Sequence, residues 1–164
     1  MAKAKKAVKD QSAVRGFFRV HIVDEDGKVA GDSGWQSNQI TNDGFNQFLV
    51  SALGSISGSK YVSHLALGTA GAPAAGDTAL AGEIVGTGVS RQAVTAATSS
   101  SSKTVRFTGT FASANSFCSR TENISNVGLF NSNASGTCFA GNTYNSSSCA
   151  TNQNVNVTYD IVFT

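Results

Sequence analysis

The chain has 164 residues, 40% of them apolar and only 13% charged, which suits one compact domain with a buried core and excludes a chain disordered throughout. Its formal charge of +2 is unevenly placed. The first fifteen residues carry Lys3, Lys5, Lys6, Lys9 and Arg15 against Asp10 alone, whereas the remainder carries seven basic and nine acidic residues, a balance of −2.

Residues 1–16 read as an extended basic arm and 17–164 as a single folded domain. The arm resembles the start of a signal peptide, yet Gln11-Ser12-Ala13 follows it in place of an apolar run. No window approaches the roughly 20 apolar residues of a membrane span. The expectation is a soluble protein made in a cytoplasm, with no membrane partner. Clustered lysines can neutralise phosphates and release counterions, but the arm has no aromatic for base stacking before Phe17 and the body is not basic. A tether that orders on an acidic protein surface is the favoured reading. A plain solvated tail and a nucleic-acid contact are the alternatives, and nucleic acid is not expected as the partner.

Alternation with period two dominates the chain beyond the arm and predicts a mainly β protein. Over 17–23, Phe18, Val20 and Ile22 share one face and Arg19 and His21 the other, the pattern of a half-buried strand. Asp24-Glu25-Asp26-Gly27-Lys28 closes it with a turn, and Val29-Ala30 with Trp35–Ile40 can return as a hairpin partner. Between them, Gly31-Asp32-Ser33-Gly34 reads like the nucleophile sequence of trypsin-like proteases. That family places its His far upstream of the Ser; here only His21 precedes Ser33, and the next residue is Trp35. A hairpin turn is the expected role.

Phe45, Phe48, Leu49, Ala52 and Leu53 fall at i, i+3, i+4, i+7 and i+8, predicting one amphipathic helix of about three turns. Thr41 or Asn42 can cap its start and Gly54 can supply a left-handed stop. A short apolar strand, 61–67, breaks at Gly68-Thr69 into the small-residue loop 70–77 and returns through 78–84 towards Arg91. Gly82 to Gly88 is Gly-rich but lacks the Lys-Ser/Thr ending of a phosphate loop. Further strands are predicted over 89–96, 103–111, 124–130, 137–144 and 155–163, separated by polar turns at 99–102, 131–136 and 145–148. About eight short strands at this spacing predict an antiparallel β-sandwich, jelly-roll or immunoglobulin-like, with one short helix.

Chemistry-bearing clusters are sparse. His21 and His64 have no His or Cys at ligand spacing, and the 24–27 acidic turn lacks the later Glu of a calcium loop. Neither a metal nor a cofactor is expected, and no catalytic residue is assigned. Three cysteines, Cys118, Cys138 and Cys149, are an odd number, against a fully paired secreted framework. One bridge, Cys138 to Cys149, is expected.

Several segments resemble small virion proteins of tailed bacteriophages in their order along the chain. They are 20–28, 38–46, His64-Leu65-Ala66-Leu67-Gly68-Thr69, 105–111, Ile124-Ser125-Asn126-Val127-Gly128-Leu129-Phe130-Asn131 and the closing 155–164. The insertions around Cys118 and Cys149 depart from the pattern. The resemblance implies a non-enzymatic structural component of a virion, a capsid decoration or cement protein on the outer surface of the head. Its implied partner is the major capsid protein, and its implied state a homo-oligomer such as a trimer. The alternative is a tail, neck or fibre component, receptor-binding through the loops near Asn131 and Asn145. Lys3, Lys5, Lys6, Lys9 and Arg15 are the expected partner-binding residues.

Overall fold

The structure, a computed structural model, describes residues 13–85, 91–99, 101–115, 117–118 and 120–164. Within them the chain runs through β1 (Val14–Val23), β2 (Val29–Asp32), β3 (Gln36–Ser37), β4 (Gln39–Ile40) and a helix, then β5 (His64–Gly68), β6 (Gln92–Ala93), β7 (Thr95–Ser99) and β8 (Thr104–Phe111). It closes with β9 (Glu122–Phe130), β10 (Cys138–Cys149) and β11 (Asn154–Phe163). The strands form two antiparallel sheets, one ordered β2-β1-β11-β8-β7 with β3 also on β1, the other β4-β10-β9-β5-β6. The protein is an antiparallel β-sandwich.

Alternation positions the core as expected. Phe18, Val20 and Ile22 of β1 and Val155, Val157, Tyr159 and Ile161 of β11 are buried, while Phe163 at the end of β11 is exposed. Phe18 lies opposite Tyr159 in register, and their rings stack at 5.7 Å. The facing sheet supplies Leu65, Leu67, Val127 and Leu129. β5 is buried on both faces, because the 69–85 segment folds over the outside of its sheet and seats Leu80 with Ala66, Phe130 and Cys138 in a second small core. Asn126 holds that segment down, its Nδ2 donating to the carbonyls of Gly71 and Ala81.

Four local expectations are corrected. β1 begins at Val14, so Arg15 sits in the sheet opposite Val162. The return strand at 35–40 is divided: β3 stays on β1, but β4 crosses to pair with β10. Asn38 makes the crossing between them, donating from Nδ2 to the Tyr159 hydroxyl at 2.5 Å. Gly16 is required there, since a Cβ would lie 1.9 Å from Asn38 Oδ1. The expected turn at 145–148 is instead part of β10, which spans four residues from Thr143 to Ser147 while β9 spans two from Asn126 to Ile124. That surplus is a bulge, which lets a polar stretch continue the ladder.

The helix is the fourth. It starts where expected, with Thr41 Oγ1 accepting from Gly44 N at 2.9 Å and donating to the Cys138 carbonyl. Its body, Gly44–Val50, is π-helical and continues as one α turn, Ser51–Leu53. A π turn is wider than 3.6 residues, so the predicted stripe drifts off the seam. Phe48 is buried and Leu49 half-buried, whereas Phe45 and Leu53 face outward. The left-handed stop belongs to Ser55, with φ of 49°, and Gly54 keeps a right-handed conformation.

Candidate functional site

The Gly31–Gly34 sequence is a turn at the end of β2. Ser33 Oγ accepts from Val20 N at 2.9 Å and donates to the Gly34 carbonyl at 2.7 Å. Its hydroxyl is engaged with backbone, and His21 reaches Asp32 rather than Ser33, with Nε2 3.3 Å from Oδ1. Asp32 is also clasped by Arg19, whose Nε and Nη2 donate at 2.9 and 2.6 Å. Hydrogen bonds from Arg19 and then from Gly34 N hold the Asp32 carboxyl well below the usual carboxylate range. A carboxylate so held is a structural anion. It orients no base towards a nucleophile.

His64 has a different setting, with Nδ1 2.8 Å from the hydroxyl of its neighbour Ser63. Burial, reinforced by the nearby Arg91, lowers its pKa and favours the neutral ring. Arg91 itself is a buried cross-brace. Nε and Nη2 donate to the two Glu83 carboxylate oxygens at 2.8 and 3.0 Å, and Nη1 donates to the carbonyls of Ser132 and Ser135. Its guanidinium lies 3.6 Å above the Phe130 ring. The 131–136 turn is therefore pinned to the 69–85 segment, and its Ser/Asn-rich sequence forms a fixed edge.

The cysteines require a correction. Cys138 and Cys149 begin and end the same strand, roughly 30 Å apart at the rise of a β-strand, so the expected bridge between them does not fit. Cys138 is buried and its thiol pushed up to about 12 by desolvation. Cys149 donates from Sγ to the Ala150 carbonyl at 3.6 Å, and the neighbouring Cys118 and then burial push its thiol well above the ordinary range. Among the described residues no group of three His, Cys, Asp or Glu side chains is placed to hold a metal, and no helix is long and apolar enough to cross a membrane.

What remains is a rim of unburied apolar side chains. Val50, Leu53, Ile56 and Tyr61 lie on the helix end and the link to β5; Leu53 is 91% and Tyr61 76% exposed. Tyr61 also lines a cleft of about 160 Å³, together with Phe48, Leu49, Val62, Phe107 and Phe163. Lys60 crosses its edge, donating from Nζ to Thr137 Oγ1. Ala13 and Thr164 bond to each other through their backbones beside Phe163, so Ala13, the first described residue, sits near this cleft. Lys3, Lys5, Lys6 and Lys9 lie outside the described residues, and Arg15 is exposed on β1.

Sequence patterning misses this rim. Its one signal is Ile56, an apolar residue stranded in the run Gly54-Ser55-Ile56-Ser57-Gly58-Ser59 with no periodic partner. The chain matches no protein-family model, no curated protein and no solved structure.

Proposed function

We propose that this chain is a non-enzymatic structural component of a tailed-bacteriophage virion, a decoration or cement protein that assembles, as a homo-oligomer such as a trimer, on the outer surface of the head. The observation that carries the reading is the set of exposed apolar side chains Val50, Leu53, Ile56 and Tyr61, the last of which lines a cleft. Large apolar side chains gathered along one stretch of chain and left in water are the mark of a surface that is covered by a partner. The Ser33 hydroxyl and the Asp32 carboxylate, by contrast, are engaged in holding a turn. The segments whose order resembles virion proteins supply β1, the helix, β5, β8, β9 and β11, strands of both sheets.

In this mechanism the rim docks on the major capsid protein and the basic arm runs across neighbouring shell. Ordering the arm costs about 1–2 kcal/mol of backbone entropy per residue, so it contributes only where many contacts repeat, as on an icosahedral lattice. Two variants separate the elements: deletion of Met1 to Lys9, and Leu53→Asp with Tyr61→Ser. Each is expected to lower occupancy on purified capsids at least tenfold while the thermal midpoint changes by less than about 3 °C. Full occupancy by both would sink the docking mechanism. Electron microscopy of labelled protein on intact particles tests the location: a lattice over the head supports cement, and density confined to the tail replaces it with a tail or fibre role.

A further inference from the structure

We propose that β7 is the edge through which two copies of this chain pair, antiparallel and about a two-fold axis at Ala97, joining their β2-β1-β11-β8-β7 sheets into one. An edge strand presents a row of unpaired N–H and C=O groups, which proteins guard with short strands, bulges, charges or proline. The other edges among the described residues are guarded in that way. β3, β4 and β6 have two residues each; β2 has four, a bulge in its pairing with β1, and a terminal Asp32 clasped by Arg19. β7 closes its sheet with none of these devices. Its five residues, Thr95-Ala96-Ala97-Thr98-Ser99, include no charge and no proline, and they pair with Thr104 to Thr108 of β8 without a register break. Ala96 and Thr98 stand opposite Phe107 and Val105, on the face turned towards the core, yet all five residues are exposed. β7 therefore projects past the facing sheet, held among the described residues by β8 alone. Alternate residues of such a strand turn their N–H and C=O away from the neighbour.

The residues of β7 select a second copy as the occupant. In antiparallel register about Ala97, Thr95 meets Ser99, Ala96 meets Thr98 and Ala97 meets itself, alike in both halves, as an isologous contact requires. Hydroxyl faces hydroxyl on the outer side, a favourable cross-strand pair. Side chains this small let the two backbones approach to the strand spacing of about 4.8 Å. No like charges are opposed. The charge nearest the axis is Arg106, opposite Ala97, and it is already neutralised by Asp160, which accepts from Nε and Nη2 at 2.7 Å each. A foreign strand bearing charge would find no counter-charge on β7; β7 itself brings none. A two-fold contact closes on itself, so it joins copies in pairs, single domains or members of a larger oligomer alike. The pairing needs neither a capsid nor the apolar rim.

Sedimentation of the full chain in the absence of any partner should show dimer gaining on monomer between roughly 10 µM and 1 mM, the weak range that a contact of small area implies. Ala97→Glu opposes two introduced carboxylates at the axis, while within each chain the new side chain faces Arg106. It should weaken pairing about tenfold with the thermal midpoint moved by less than about 3 °C. Leu53→Asp with Tyr61→Ser should pair as the native chain does. Register is read independently by cysteine substitution. Ala97→Cys under mild oxidation should link two chains through tryptic peptide 92–103, which has no native cysteine. Thr95→Cys, which lies opposite Ser99 of the copy and about 13 Å from its own counterpart, should not link to itself. A chain monomeric throughout, pairing that Ala97→Glu leaves unchanged or that the Leu53 and Tyr61 variant abolishes, or a self-link at residue 95 in place of 97 would overturn the proposal. The cysteine pair decides it even where Ala97→Glu disturbs β7.

Discussion

Arg91 carries more connections than any chemical motif in the chain suggests. It joins Glu83, two carbonyls of the 131–136 turn and the face of Phe130 while almost wholly buried. Breaking a buried pair leaves the other charge unpaired, so Arg91→Met should destabilise by roughly 3–5 kcal/mol in denaturant titration. Arg91→Lys should recover only part, because an ammonium cannot reach both Glu83 oxygens and both carbonyls together. A loss under about 1 kcal/mol for Arg91→Met would show that water replaces these contacts. Such a brace has no sequence signature: Arg91 and Glu83 are eight residues apart, and the carbonyls lie more than forty residues on.

Among the elements, the helix and β10 separate what patterning reveals from what it hides. β1 and β11 are legible because a sheet with one solvated face imposes strict alternation. The helix is legible in its place and its Thr41 cap, but not in its face, since a π turn leaves no mark on apolar spacing. β10 is legible only to Tyr144; beyond it Asn145-Ser146-Ser147-Ser148 has the composition of a turn, and only pairing with β9 makes it strand. The apolar rim is illegible for the same reason as the helix face. Gly44 explains why the helix sits where it does: a Cβ there would lie 2.1 Å from the Phe139 carbonyl. Gly44→Ala improves intrinsic helix propensity yet should destabilise the protein by roughly 1–3 kcal/mol through forced separation from β10. Unfolding curves in urea decide between these opposed effects. A stabilised variant would mean the helix docks more loosely than its contact with β10 implies.

For the whole molecule, the stability against acid should fall in two stages with separate owners. His64 binds its proton less readily folded than unfolded, because of burial and then Arg91. The unfolded chain therefore takes up more protons as pH drops through the ordinary value of 6.5, and stability declines from there down to the lowered folded value. Asp32 acts later. Its folded pKa is depressed, so its contribution is complete above the ordinary 3.8 and is lost as pH falls below that. Because Asp32 and Arg19 are about one-third exposed, added salt should shrink the second stage, whereas the first, which originates in burial, should persist. Thermal midpoints measured from pH 8 to 3 should show both declines. His64→Gln should flatten the decline below pH 6.5 and leave the lower one; Asp32→Asn should do the reverse while lowering stability at neutral pH. If His64→Gln leaves the upper decline intact, proton uptake elsewhere limits the fold, and the setting of His64 between Ser63 and Arg91 is not what makes it acid-sensitive.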